Sequence, residues 1–231
     1  MRHHLNRAAL LAALALAVIA APTSAMAATN LALEVTHQSS TVGADGIKRD
    51  TSFTENVIRQ DDTVWIERVI PAGAYSAAGH EKSKKPNGHK HVDLNNAVRW
   101  IQKLPDGKLK LRLVSLTDKV IVDVAPNEYA NVGFDGLWTA AYHLIDPLVL
   151  KKLKPGKTEE ENQWFESPQS STGGVRILWN GSTEIPMKVL THNSIGNTMR
   201  STTVRVIGGS PKTPWRNLSK FSVKEYSDFL D

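Results

Sequence analysis

The chain has 231 residues, 41% hydrophobic and 22% charged, with 28 Lys and Arg against 23 Asp and Glu and no cysteine. The lack of thiols excludes a disulfide framework, lipidation at a processed N-terminus, c-type haem attachment and a blue-copper site, so stability must come from an ordinary core. Charge gives little support to a nucleic-acid partner: Arg2 and Arg7 fall in a leader, and without them 26 basic residues face 23 acidic ones, a net of +3.

Residues 1–27 combine Arg2 and Arg7 with an uninterrupted apolar core over 8–21 and the small-residue end Ala25-Met26-Ala27. That is the layout of a secretory signal, with cleavage expected after Ala27 and a periplasmic destination. The apolar core is shorter than the roughly 20 residues a membrane helix needs, and no later segment approaches it, so no integral membrane segment is expected after cleavage. Residues 28–231 suit a single domain.

The first strand is expected over 30–37 (NLALEVTH), followed by a turn at 42–46. Residues 47–70 (IKRDTSFTENVIRQDDTVWIERVI) are the centre of the fold. Two runs rich in β-branched and aromatic residues, 51–59 and 63–70, flank Gln60-Asp61-Asp62 and predict an antiparallel hairpin. Alternation puts Phe53, Glu55, Val57 and Arg59 on one face of its first strand. Glu55 and Glu67 could meet across the hairpin, but Arg59 and Arg68 beside them favour structural ion pairs over a catalytic carboxylate pair. Charges interleaved with Phe and Trp predict a sheet partly covered on both faces. Residues 75–88 (YSAAGHEKSKKPNG) form a loop of a length uncommon in a compact domain.

Residues 97–114 alternate around Pro105-Asp106-Gly107, with Leu109, Leu111 and Leu113 opposite Lys108, Lys110 and Arg112, and predict a second hairpin. The apolar run 120–124 (VIVDV) reads as a more central strand. Over 134–153 the period turns helical through Leu137, Ala140, Ala141, Leu144 and Ile145, with Asp135 placed to cap. Pro147 can open a second short helix, so a helix, a kink and a short helix lying on the sheet are expected. Residues 158–162 read as a solvated acidic connector. Strands follow at 163–166, 175–180, 183–192 and 199–207, and a terminal helix at 223–230.

The stretch 178–207, LWNGSTEIPMKVLTHNSIGNTMRSTTVRVI, resembles the strand, turn, Ile-Pro entry, strand, turn and strand that end the periplasmic lipoprotein carriers, the LolA/LolB-like half-barrels. Gly181, Ile185, Pro186, Val189, Thr202, Val204 and Val206 carry the resemblance, over about the last quarter of the chain. It implies a mainly β (α+β) fold, a large curved antiparallel sheet or half-barrel with helices packed on the concave side, and a cavity that takes acyl chains. No cargo residue of that family can be matched position by position.

Two groups of side chains are candidates for chemistry. His80, His89 and His91 could converge from one hairpin as an open copper or zinc site, with Glu81 or Asp93 in support, although five lysines between Lys82 and Lys103 oppose a cation. His37, His143 and His192 stand singly. Six tryptophans are spread through the predicted elements; Trp65, Trp100 and Trp138 are the candidates for lining an apolar ligand site, beside the default of core filling. The nucleophile elbow, the His-Glu-x-x-His helix and the phosphate-cradling glycine loop are all missing. The expectation is an exported, non-enzymatic binding protein that holds a lipid-like ligand or lipoprotein segment. A transition-metal binder using the histidine cluster and an envelope assembly factor binding a protein partner are the alternatives.

Overall fold

The structure is a computed structural model describing residues 30–71, 94, 96–168, 173–208 and 212–229. Among these, the strand-forming runs join into one twelve-stranded sheet, open, curved and not closed into a barrel. In chain order the strands are β1 (Leu31–Val42), β2 (Lys48–Gln60), β3 (Thr63–Val69), β4 (Val98–Lys103), β5 (Leu109–Ser115), β6 (Val120–Val124), β7 (Lys154–Glu159), β8 (Asn162–Glu166), β9 (Gly173–Asn180), β10 (Ile185–Asn193), β11 (Thr198–Gly208) and β12 (Ser222–Glu225). Across the sheet they run β12-β6-β5-β4-β3-β2-β1-β11-β10-β9-β8-β7. Every neighbouring pair is antiparallel except β12 with β6.

The strand pleat sends successive side chains to opposite faces, and both faces are covered. On one, Leu33, Val35, Val57, Val64, Ile101, Leu111 and Val122 pack with Tyr129, Phe134 and Tyr142 from the segment between β6 and β7. On the other, Trp65, Val98, Trp100, Val114 and Ile121 lie under Leu218, Trp215 and Phe221. Each large apolar side chain withdrawn from water in this way contributes about 1.5–3 kcal/mol. The two covers explain why β3 and β4 look poorly amphipathic in sequence: Val64 and Trp65, adjacent in the chain, are both buried, on opposite faces.

The covering segment holds one short α-helix, α1 (Trp138–His143), between 3-10 turns Pro126–Val132 and Pro147–Lys152. The helix expected to start at 134 is confined by its ends. Gly136 has φ 75°, and the Asp135 carboxylate accepts from the Leu137 N–H (2.9 Å), capping the turn ahead of the helix. Leu144 then takes a left-handed conformation, φ 64°, which stops α1 after six residues. Beyond the kink, Asp146 accepts from the Leu148 N–H (3.1 Å) and starts a 3-10 turn in place of a second α-helix. No helix among the described residues is long and apolar enough to cross a membrane.

Three other expectations are corrected. The terminal helix at 223–230 is β12 followed by a 3-10 turn, Tyr226–Phe229, because Ser222 to Glu225 pair in parallel with Val120 to Asp123. β6 is therefore second from an edge and not central, although most of it is buried. The acidic connector belongs to a hairpin: β7 and β8 turn through Glu160, whose φ is 54°, and Glu161. β7 forms the other edge, and its exposed lysines and Pro155 suit a strand that must not recruit another chain.

Candidate functional site

α1 does not lie flat on the sheet. Between them is a hollow of about 340 Å³, walled by Val35, Val57, Ile66 and Ile101 from the strands and by Phe134, Ala141 and Leu144 from the covering segment. The apolar sheet positions alternate as sequence periodicity requires. Leu144 reaches the hollow because of its left-handed backbone, a conformation costing a non-glycine residue about 1–2 kcal/mol, so core packing must hold it there.

One end of the hollow is polar. His37 on β1 lies directly across from Thr202 on β11, and its Nδ1 is 3.2 Å from the threonine Oγ1. Its Nε2 is 3.0 Å from Glu55 Oε2 on β2. With a carboxylate on that side, Nε2 carries the proton and Nδ1 accepts from the hydroxyl when the ring is neutral. Phe53 stacks on the imidazole at 4.6 Å and 25°, and the Arg68 guanidinium sits 4.3 Å over the other ring of that stack, Phe53. Burial pushes the Glu55 carboxyl up, but the hydrogen bond and charge of His37, with the charges of Arg99 and Arg68, outweigh it and hold the group below its ordinary value.

Hydroxyl, imidazole and carboxylate stand in the order a hydrolase uses. The strand environment removes the companion feature: β11 is paired along this stretch by β1 on one side and β10 on the other, so the backbone N–H groups beside Thr202 are taken by the ladder. An oxyanion hole needs such donors free. The row works instead as a hydrogen-bonded polar floor. A second hollow of about 260 Å³ shares Glu55, Ile66 and Arg99 with the first and is further lined by Arg68, Asn131 and Tyr226. A larger one, about 750 Å³, lies towards the tips of β1, β2, β10 and β11; its wall combines hydroxyl side chains with the charged Lys48, Asp50, Arg176 and Arg200, and Leu190 and Met199 are its large apolar side chains.

Of the tryptophans chosen from sequence, two are brought together and the third lies apart from them. Trp65 and Trp100 form a cross-strand pair, centroids 6.3 Å apart, on the sheet face away from α1, with Trp215 6.3 Å from Trp65. Trp138 is on α1, packed on Tyr142 at 5.1 Å. None of the three lines the hollow under α1. His80, His89 and His91 lie outside the described residues. Among the described residues no three His, Asp or Glu side chains are grouped as a metal site would require. His143 Nδ1 is 2.8 Å from the Glu184 carbonyl, distant in role from His37. Glu55 lies across from Arg68 and Glu67 across from Asn56, so the two carboxylates are on opposite faces and cannot pair. Sequence reasoning left His37 standing singly and gave Arg99 no role; the signal for the first was the shared alternation of β1 and β2, once the turn at 43–47 sets His37 beside Phe53.

No protein-family model matches the chain, and no curated protein matches it in sequence. Solved structures similar to it do exist. LolA superfamily structures are among them. One such protein, from Nitrosomonas europaea, has a TM-score of 0.31 and 6% identity, covering 82% of this chain and 92% of its own. PNGF-II gives a TM-score of 0.38 and 11% identity over 86% of this chain; the chain spans only 32% of the PNGF-II length. The MucA/MucB complex of Pseudomonas aeruginosa gives 0.36 and 11%, covering 81% of this chain and 55% of that one. These overlays are loose, and no functional residue is transferred from them.

Proposed function

We propose that this chain is an exported binding protein of the cell envelope that holds a lipid-like molecule in the hollow beneath α1. The observation that carries the proposal is the placement of about 340 Å³ of space between an apolar sheet face and the helix that should fill it. Small-molecule sites begin at about this size and share this make-up, apolar walls with a few convergent polar groups. The leader-like residues 1–27 support export, with residues 28–231 as the working domain. The action is sequestration: each buried methylene of the occupant contributes about 0.8 kcal/mol, and the His37 row orients whatever polar end the occupant has.

Binding of a fluorescent fatty-acyl probe to delipidated protein tests this. Saturable binding is expected, and Ala141→Phe, which fills the hollow from the helix side, should weaken it at least about tenfold while circular dichroism stays unchanged. Wild-type protein that takes up no probe overturns the proposal, as does an Ala141→Phe variant that binds as well as wild type.

A further inference from the structure

Beside the polar end of the hollow are guanidinium donors that no described residue accepts. Arg49, Arg112, Arg176 and Arg205 each meet a carboxylate, from Asp45, Asp123, Glu166 and Glu34 respectively. Arg59 donates to backbone carbonyls. The guanidinia of Arg68, Arg99, Arg200 and Arg216 make no hydrogen bond or ion pair with another described residue, and of these Arg99 and Arg68 line the two joined hollows. From β3 and β4 respectively, Arg68 and Arg99 act on the Glu55 carboxyl through their charge, and exposed Arg68 rests 4.3 Å over the Phe53 ring. The Glu55 carboxylate is taken by His37 at 3.0 Å. Arg99 is half-buried, and it stands where the two hollows meet. A guanidinium in that position has five N–H donors in a planar fork and, among the described residues, no acceptor for them.

Among the described residues two carboxylates, Glu55 and Asp135, stand beside these arginines, and each already accepts a hydrogen bond. Asp135 lines the hollow from the covering segment, with its carboxylate already accepting from the Leu137 N–H. Asn131 and Tyr226, on the second hollow, add neutral side chains able to donate. The apolar walls under α1 lead directly to Arg99.

We infer that the occupant is an amphipathic anion, a long-chain carboxylate or phosphate monoester, whose head is held by Arg99 and Arg68 at the junction of the hollows while its tail lies under α1. This rests on the function proposed above, because the tail needs that hollow. The two guanidinia supply charge-assisted hydrogen bonds that an alcohol of the same length cannot use fully.

Three twelve-carbon probes separate the possibilities: dodecanoate, dodecyl phosphate and dodecanol, titrated into the purified chain by displacement of a fluorescent acyl probe. At least one anion should bind about tenfold or more tightly than dodecanol, and whichever does identifies the head as carboxylate or phosphate. Arg99→Gln should reduce that preference to less than about threefold, weakening the anion far more than dodecanol. Equal binding of all three probes overturns the anionic head and leaves the apolar pocket standing. Binding of none removes the pocket, and this inference with it. If Arg99→Gln weakens dodecanol as much as the anions, Arg99 supports the fold and the inference fails.

Discussion

Arg59 is 2% exposed, and its guanidinium is satisfied by the chain's own carbonyls: it donates to Thr183 O at 2.7 Å and Tyr142 O at 3.3 Å, with the Tyr142 ring 4.5 Å away. It thus ties the end of α1 and the 181–184 turn to β2. In sequence, Arg59 shares a face with Glu55 and reads as its salt-bridge partner; the carbonyls that claim it come from 83 and 124 residues away, beyond the reach of any local pattern. Arg59→Ala strands those acceptors and opens a void, and should lower unfolding free energy by about 2–4 kcal/mol in urea titration. Glu55→Gln should behave differently, through pH. The folded carboxyl titrates below its ordinary value, so its contribution is complete above about pH 4.3 and fades as pH falls through the folded pKa. The variant is expected to be about 1 kcal/mol less stable at pH 7, with the gap to wild type closing towards pH 3 in parallel denaturation series. His37 looked solitary for the reason that misplaced Arg59: its partners are 18 and 165 residues away.

Hairpins were the most legible elements, because period-two alternation and turn residues lie within a few positions of each other. β2 and β3, β4 and β5, and β10 and β11 follow their patterns closely. Helical pattern was a weaker guide over 134–153, where Gly136 and the left-handed Leu144 leave six α-helical residues. β12 was misread because four residues gain a strand's backbone pairing only from β6, a partner invisible in the local sequence. Glycines provide the sharpest test at this scale. Gly173 has φ 103°, and a Cβ there would strike the His192 carbonyl and Asn193 across the β9–β10 ladder; Gly107, with φ 81°, has open space around it. Gly107→Ala should cost about 1 kcal/mol, from backbone strain alone. Gly173→Ala should cost clearly more, and faster amide exchange in β9 and β10 would show where the damage falls.

As a whole, the molecule is a sheet covered on both sides, and the two covers do different work. The cover holding α1 leaves a hollow, whereas Trp65, Trp100 and Trp215 close the opposite face tightly. The curved sheet with helical elements on one face was readable from strand density and from the C-terminal resemblance. The second cover was not, because 208–214 is rich in breakers and 215–221 carries no periodicity. That is why Trp65 and Trp100 read in sequence as candidates for a ligand site beside core filling, whereas they pack under Trp215, Leu218 and Phe221. Trp65→Ala should therefore cost about 3–5 kcal/mol in stability while acyl-probe affinity, measured below the melting range, remains within about twofold of wild type. Parallel loss of both would place the ligand on the wrong side of the sheet.

The pairing of β12 with β6 has a bearing on how the chain is made. β6 stays bare along one side, and the indoles of Trp65 and Trp100 stay wet, until residues 215–225 have left the ribosome. Until the last strand arrives that raw flank is open to pairing with another chain, so the order of synthesis leaves it exposed longest.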